Sequence, residues 1–138
     1  MLKKTFISII LTISTMFILL GCTSNEPSIR IMGITIEKYN SQTKKYETYQ
    51  QVSKKDKVEK VKQVIEQVTL ENSTQTTTEE TSDYQFYFNL KTKNADVKQV
   101  TYQIKKEKQN KILLGIEGIY HPLTKEEGEI LTDILIEE

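Results

Sequence analysis

Apolar and polar residues alternate along several short stretches of this chain, and that pattern predicts β-strands. The clearest stretch covers residues 83–91, where apolar side chains occupy every second position and hydrogen-bonding side chains lie between them. The apolar set is Tyr84, Phe86, Phe88 and Leu90, and the set between them is Gln85, Tyr87 and Asn89. Alternation over such a length is typical of a strand with one buried face and one open face.

Four further stretches complete the predicted sheet. Residues 29–39 are rich in isoleucine and residues 46–52 follow them after a polar turn, so the two predict a hairpin, with Gly33 marking a bulge. Residues 99–104 alternate in the same way, and residues 112–120 form the last predicted strand. Strands that are joined by short turns pair antiparallel.

The apolar positions take the period of a helix in two places. In the first, they recur at spacings of three and four residues, at Val58, Val61, Val64, Ile65 and Val68. Ser53 and Asp56 fit a capping box there, so this helix should begin near Lys54. A second capping box, Thr124 with Glu127, precedes a C-terminal helix. The apolar positions of that helix are Ile130, Leu131, Ile134 and Leu135.

The predicted order of elements is ββαβββα, in a single domain over residues 29–138. The simplest arrangement that buries two amphipathic helices is an antiparallel sheet of about five strands with both helices packed on one face. The predicted fold class is therefore α+β. The polar, repetitive stretch over residues 71–82 predicts a mobile surface loop.

The start of the chain predicts export. Lys3 and Lys4 precede an apolar run over residues 6–20, which ends in the sequence Leu19-Leu20-Gly21-Cys22. A positive start, a short apolar stretch and small residues at the cleavage site mark a secretory signal. The run is shorter than the roughly 20 apolar residues of a membrane-spanning helix. Two alternative interpretations are an uncut N-terminal helix and a plain cleaved signal with a chance cysteine.

The sequence at residues 19–22 resembles a bacterial lipobox. The resemblance implies that residues 1–21 are removed as a signal peptide and that Cys22, the only cysteine, carries acyl chains. Residues 22–28 would then form the lipidated residue and a polar tether, and the domain would be anchored on the extracytoplasmic face of a cell membrane. The tether, the early strand pair, the lysine-rich helix and the terminal helix beginning T-K-E-E are similar to small Bacillus-type lipoproteins of the YhfM-like group.

The charge balance argues against two classes of partner. The chain carries 19 basic and 19 acidic residues. Removal of residues 1–21 would take away Lys3 and Lys4, leaving 17 basic against 19 acidic residues and a net charge of −2. Without a basic excess, the overall charge predicts neither nucleic acid nor an anionic lipid surface as a partner. The preference for lysine over arginine and the abundance of isoleucine are typical of an AT-rich genome, which fits a Gram-positive bacterium.

No catalytic or metal-binding constellation is visible in the sequence, so we predict a non-enzymatic protein without a cofactor. His121 is the only histidine, and its position before a proline and a helix is typical of a loop or cap. Glu126, Glu127 and Glu129 lie at a helix start, where carboxylates favour the positive end of the helix dipole. A zinc site needs about three or four ligands, which one histidine and an acylated Cys22 do not supply.

The open face of the predicted sheet is the candidate partner-binding surface. Uncharged, hydrogen-bonding residues line it: Gln85, Tyr87, Asn89, Gln99, Thr101 and Gln103. Such a row suits an envelope protein or a glycan, although the same residue types are ordinary on exposed strands. The predicted function is a membrane-tethered, extracytoplasmic binding or interaction module. Two alternatives stay open: a small envelope enzyme or inhibitor of a cell-wall enzyme, and a lipid-anchored carrier of a small ligand.

Overall fold

The computed structural model describes residues 29–70, 80–92 and 99–137. The predicted signal peptide over residues 1–21, Cys22 and the tether up to residue 28 lie outside the described residues. The fold is α+β as predicted, with six strands instead of about five, and two helices. The elements are β1 (Arg30–Asn40), β2 (Lys45–Val52), α1 (Lys55–Leu70), β3 (Tyr84–Lys91), β4 (Tyr102–Lys106), a 3-10 turn (Lys108–Asn110), β5 (Ile112–Ile116), β6 (Ile119–Pro122) and α2 (Lys125–Leu135).

All six strands form one antiparallel sheet with the order β2-β1-β3-β4-β5-β6. The helix α1 connects the edge strand β2 to β3, which pairs with the other side of β1. The register between β1 and β3 shifts between Ile31 and Gly33, where the sequence predicts a bulge. β4 begins at Tyr102 rather than at residue 99, so it is displaced toward the C terminus of the predicted strand.

The stretch over residues 112–120, predicted as one strand, is two strands, β5 and β6. They are joined by Glu117 and Gly118, whose φ angles are 51° and 84°. Positive φ at both central residues is the mark of a two-residue type I′ hairpin turn, and glycine adopts that conformation without strain. The prediction was wrong because isoleucines continue the apolar pattern on both sides of the turn. His121 consequently lies in β6 opposite Leu114, and not in a loop.

The core lies between the two helices and one face of the sheet. The predicted apolar stripe of α1 is confirmed, since Val58, Val61, Val64, Ile65 and Val68 are all buried. The sheet contributes side chains from alternate positions, namely Ile34, Ile36, Val52, Phe86, Ile104 and Leu114. The helix α2 adds Leu131, Ile134 and Leu135, with Ile130 partly buried beside them. Burial of this apolar surface is the main favourable contribution to the free energy of folding.

The two helices begin differently. In α2 the predicted capping box is confirmed: the Thr124 hydroxyl accepts a hydrogen bond from the Glu127 amide at 3.2 Å, and the Glu127 carboxylate accepts one from the Thr124 amide at 2.9 Å. In α1 the Val58 amide donates to the Lys54 carbonyl at 3.0 Å. Lys54 therefore occupies the N-cap position, and the predicted capping box placed Ser53 there, one residue too early.

A bulge in β2 connects the end of α2 to the edge of the sheet. The register with β1 passes over Tyr49, which is an extra residue in β2. The Tyr49 hydroxyl donates to the Ile136 carbonyl at 3.0 Å, and the Gln50 side chain donates to the Ile134 carbonyl at 3.3 Å. These side chains satisfy carbonyls at the C-terminal end of a helix, which have no partner within the helix itself.

The end of the predicted mobile loop is ordered. Residues 71–79 lie outside the described part of the chain, but Ser82 is only 1% exposed. It lies against the sheet face that carries no helix, where the neighbouring Glu80 carboxylate pairs with the Lys105 ammonium at 2.5 Å. The loop prediction is therefore wrong for Ser82, because contacts with distant strands hold a locally polar sequence in place.

Candidate binding surface

The sheet face opposite the helices, called the helix-free face below, carries the predicted binding residues of β3. Gln85, Tyr87 and Asn89 alternate there with the core-facing Phe86 and Phe88. Their register partners in β1 are Glu37, Thr35 and Gly33. On the other side of β3, Gln103 of β4 lies opposite Gln85. The helix-free face thus brings together four of the six predicted residues: Gln85, Tyr87, Asn89 and Gln103.

Two cross-strand pairs occupy this face between β1 and β3. The Thr35 hydroxyl donates to the Asn89 side-chain oxygen at 3.1 Å, and the Asn89 amide donates to the Thr35 hydroxyl at 3.0 Å. The Gln85 amide donates to the Glu37 carboxylate at 2.5 Å. Pairs of this kind stabilise the sheet and fix the orientation of their side chains before any partner arrives.

Tyr87 lies between these two pairs, opposite Thr35. Its side chain is half-buried, so part of the ring is open to solvent. An aromatic ring supplies flat apolar area and, in tyrosine, a hydroxyl that donates and accepts hydrogen bonds. Tyr87 and the fixed amides on either side of it therefore form a contact surface with an apolar centre and a polar border.

A second polar network covers the β4–β6 part of the helix-free face. The Tyr120 hydroxyl donates to the Gln103 side-chain oxygen at 3.0 Å, so the Ser82 hydroxyl donates to Tyr120 in a short hydrogen bond. The Ser82 carbonyl accepts a bond from the Tyr46 hydroxyl at 2.8 Å. The Tyr120 ring crosses β5 above Gly115, where a Cβ atom would lie 2.9 Å from the ring. Gln103 is thus already bonded within the protein.

This network consists of hydroxyl groups and lies beside one ion pair. Burial raises the pKa of the Tyr46 hydroxyl, and the nearby Tyr120 hydroxyl adds to the rise. The hydrogen bond from Lys105, together with its charge, lowers the pKa of Glu80, and the same bond raises the pKa of Lys105. Tyr46 therefore stays protonated at neutral pH while the Glu80–Lys105 pair is charged.

The other two predicted residues, Gln99 and Thr101, lie before β4 and outside the sheet. Both are exposed. The Gln99 amide donates to the Phe88 carbonyl of β3 at 3.3 Å. Because β3 and β4 pair only from Tyr84 to Phe86, the side chain of Gln99 bonds a carbonyl that lies beyond this ladder. The structure therefore leaves these two residues outside the row that β3 contributes.

A groove of about 730 Å³ lies between α2 and the segment from Lys106 to Ile112, and the sequence analysis missed it. Charged side chains dominate its lining: Lys106, Lys111, Lys125, Glu107, Glu129, Asp133 and Glu137. Thr132 also lines the groove, and its buried hydroxyl has no hydrogen-bond partner within the described part of the chain. Residues from two separate stretches of sequence form the walls, so no local pattern signals the groove.

The carboxylates near the start of α2 serve the helix itself. Glu127 belongs to the capping box, and Glu129 pairs with Lys125 at 3.8 Å. Glu126 lies in the first turn, where it complements the helix dipole. Across residues 29–70, 80–92 and 99–137, no three His, Cys, Asp or Glu side chains gather in a group that could hold a metal ion.

Comparison with known proteins adds no family to this description. No protein-family model, no curated protein and no solved structure matches the chain. Among the described residues, neither helix is long and apolar enough to cross a membrane. The function is therefore inferred from the sequence and from the geometry described above.

Proposed function

We propose that this protein is a lipid-anchored binding module on the extracytoplasmic face of a bacterial cell membrane, without enzymatic activity. The lipobox-like sequence at residues 19–22 and the polar stretch that follows Cys22 support the anchor. The half-buried ring of Tyr87, set between two prealigned hydrogen-bonded pairs on the helix-free face, supports the binding role and is the observation that carries the proposal.

A glycan is the ligand class that this surface favours. An extended peptide usually joins the edge of a sheet through its backbone, whereas the centre of a sheet face offers side chains only. Side-chain amides and hydroxyls around a flat aromatic ring match the hydroxyl groups and apolar faces of a sugar ring. The binding surface would therefore contact a glycan of the cell envelope through Gln85, Tyr87 and Asn89.

The two alternatives receive less support from the geometry. Among the described residues, no cluster of candidate catalytic side chains favours an enzyme or an enzyme inhibitor. Glu127 is bonded in the capping box, and His121 lies in β6. A carrier of an apolar ligand needs a largely apolar cavity. Ile112 and Leu123 are the only large apolar side chains that line the groove beside α2, and its lysines and carboxylates suit a polar ligand.

The anchor is tested by replacing Cys22 with alanine in the full chain. Fatty-acid labelling and cleavage before residue 22 should both be lost, because the thiol that accepts the lipid is gone. Labelling and the mass of the mature protein report the two steps separately. Unchanged labelling of the Cys22→Ala protein would disprove the anchor.

The binding surface is tested by titrating the mature, lipidated protein in detergent micelles with soluble cell-wall glycan strands. Tyr87→Ala should weaken binding by about fivefold, equivalent to about 1 kcal/mol for an aromatic contact. Tyr49→Ala is the matched control, because Tyr49 is an exposed tyrosine on the helix side of the sheet. Equal glycan affinity for wild type and Tyr87→Ala would remove the helix-free face from consideration, and so would an equal loss in Tyr49→Ala.

A further inference from the structure

Two of the exposed apolar side chains lie at one end of the sheet. Among the described residues, the large apolar side chains that remain exposed are Ile29, Met32, Tyr49 and Ile119. Ile29 and Met32 lie at the start of β1, and the partly buried Ile31 between them continues the apolar row at the margin of the core. Ile119 does not belong to this end, because its register places it level with Ile36, in the middle of β1. We call the end of the sheet at the start of β1 the tether end, because residue 28 precedes it.

Positive charge accompanies this apolar row. Arg30 and Lys91 are direct register partners in β1 and β3, and both are exposed. Like charges directly opposite each other destabilise a strand pair, so this pair favours an anion nearby. Lys54 follows β2 at the same end and is also exposed. Asp56, in the first turn of α1 two residues after Lys54, is an acidic residue at the same end and is also exposed.

The length of the tether restricts which end of the domain can meet the membrane. Six residues separate Cys22 from Ile29, and six fully extended residues span at most about 20 Å. The 11 residues of β1 place the opposite end of the sheet roughly 36 Å away, at about 3.3 Å per residue. The tether is too short for the domain to stand on that opposite end.

We propose that the tether end of the sheet docks on the anionic bilayer surface to which Cys22 anchors the protein. The inference rests on the proposed lipid anchor. Ile29 and Met32 would enter the interface between headgroups and acyl chains, and Arg30, Lys54 and Lys91 would contact anionic headgroups. The strands would then stand upright on the membrane, with the helix-free face turned sideways into the envelope.

The test places an environment-sensitive fluorophore on the mature, lipidated protein in vesicles of phosphatidylglycerol and phosphatidylcholine. Acylation occupies the only native thiol, so Ile29→Cys and Met32→Cys each provide a single labelling site at the tether end. Thr43→Cys, in the exposed β1–β2 turn at the opposite end, is the matched control. We expect a blue shift and quenching by spin-labelled lipid at residues 29 and 32, and neither effect at residue 43.

A charge variant sharpens the same experiment. Arg30→Gln and Lys91→Gln should each lower the ratio of shifted to unshifted emission by about fivefold, equivalent to about 1 kcal/mol per cation near an anionic surface. Vesicles of phosphatidylcholine alone should give a smaller shift, and an equal shift there would refute the contact with anionic headgroups.

Failure of the docking and failure of the anchor give different results. A protein that floats with the vesicles but shows no shift at residues 29 and 32 overturns the docking and leaves the anchor intact. An equal shift at residue 43 also overturns it, because the tether end is then not selected. A protein that does not float with the vesicles overturns the anchor, and the docking with it. Melting temperatures of the cysteine variants check that each one folds.

Discussion

The side chains on the two faces of the sheet are held in place by different interactions. On the covered face, apolar side chains such as Ile36, Phe86 and Ile104 pack beneath two helices. On the helix-free face, polar side chains bond each other across strands, as Thr35 does with Asn89. The covered face is therefore stabilised by contacts with the helices. The helix-free face is stabilised by hydrogen bonds that form only in one strand register. An alternating sequence assigns residues to faces, but only the register decides which polar groups meet.

The largest expected loss of stability comes from a substitution on the covered face. Phe86→Ala should lower the free energy of unfolding by about 3–5 kcal/mol, because it leaves a cavity under the helices at a fully buried position. Its neighbour Tyr87 points to the other face, so Tyr87→Ala should cost far less. Chemical denaturation of both variants measures the contrast. Similar losses would mean that the helix-free face contributes a packed core of its own.

A smaller effect should come from the helix-free face. Gly115→Ala places a Cβ atom 2.9 Å from the Tyr120 ring and 3.0 Å from the Gln103 side chain, both of which are held in the hydrogen-bond network. We expect a loss of about 1–3 kcal/mol from overpacking. Gly128→Ala is the control, since its Cβ would meet the flexible end of Ile112 and alanine favours the helix. Thermal melts compare the two, and equal melting temperatures would contradict the strained contact with Tyr120.

The smallest effect concerns the ion pair at the border of the helix-free face. The pKa of Glu80 is lowered by Lys105, so the pair contributes stability above the usual glutamate pKa, and this contribution is lost as the pH falls through the lowered value. Lys105→Gln should return the pKa of Glu80 toward its usual range. An NMR titration of the Glu80 side chain measures the change. An unchanged Glu80 titration would show that the pair does not persist in solution.

Much of the fold could be predicted because its signals are local. The stripe from Val58 to Val68 and the capping box of Thr124 each predict a helix without reference to the rest of the chain, and both predictions are confirmed. The missed β5–β6 turn is also local. Its signal is a glycine at residue 118, preceded by Glu117, and the isoleucines on both sides concealed it.

The candidate site could be predicted only in part, because its pairing is not local. Alternation correctly placed Gln85, Tyr87 and Asn89 on one face, but Gln99 and Thr101 fall before the point where β4 begins. The hydrogen bonds of the site join residues that are far apart in sequence, 54 positions for Thr35 and Asn89. Ser82 shows the same limit, since its burial depends on tyrosines from β2 and β6.

The bonds from Tyr49 and Gln50 to the end of α2 have a consequence for the order in which the fold can be completed. They join residues 87 and 84 positions apart, so the first hairpin contacts residues that are synthesised long after it. Contacts this distant form late, because the loop between them must first be closed at an entropic cost. A nascent chain therefore lacks these closing contacts until α2 has been synthesised.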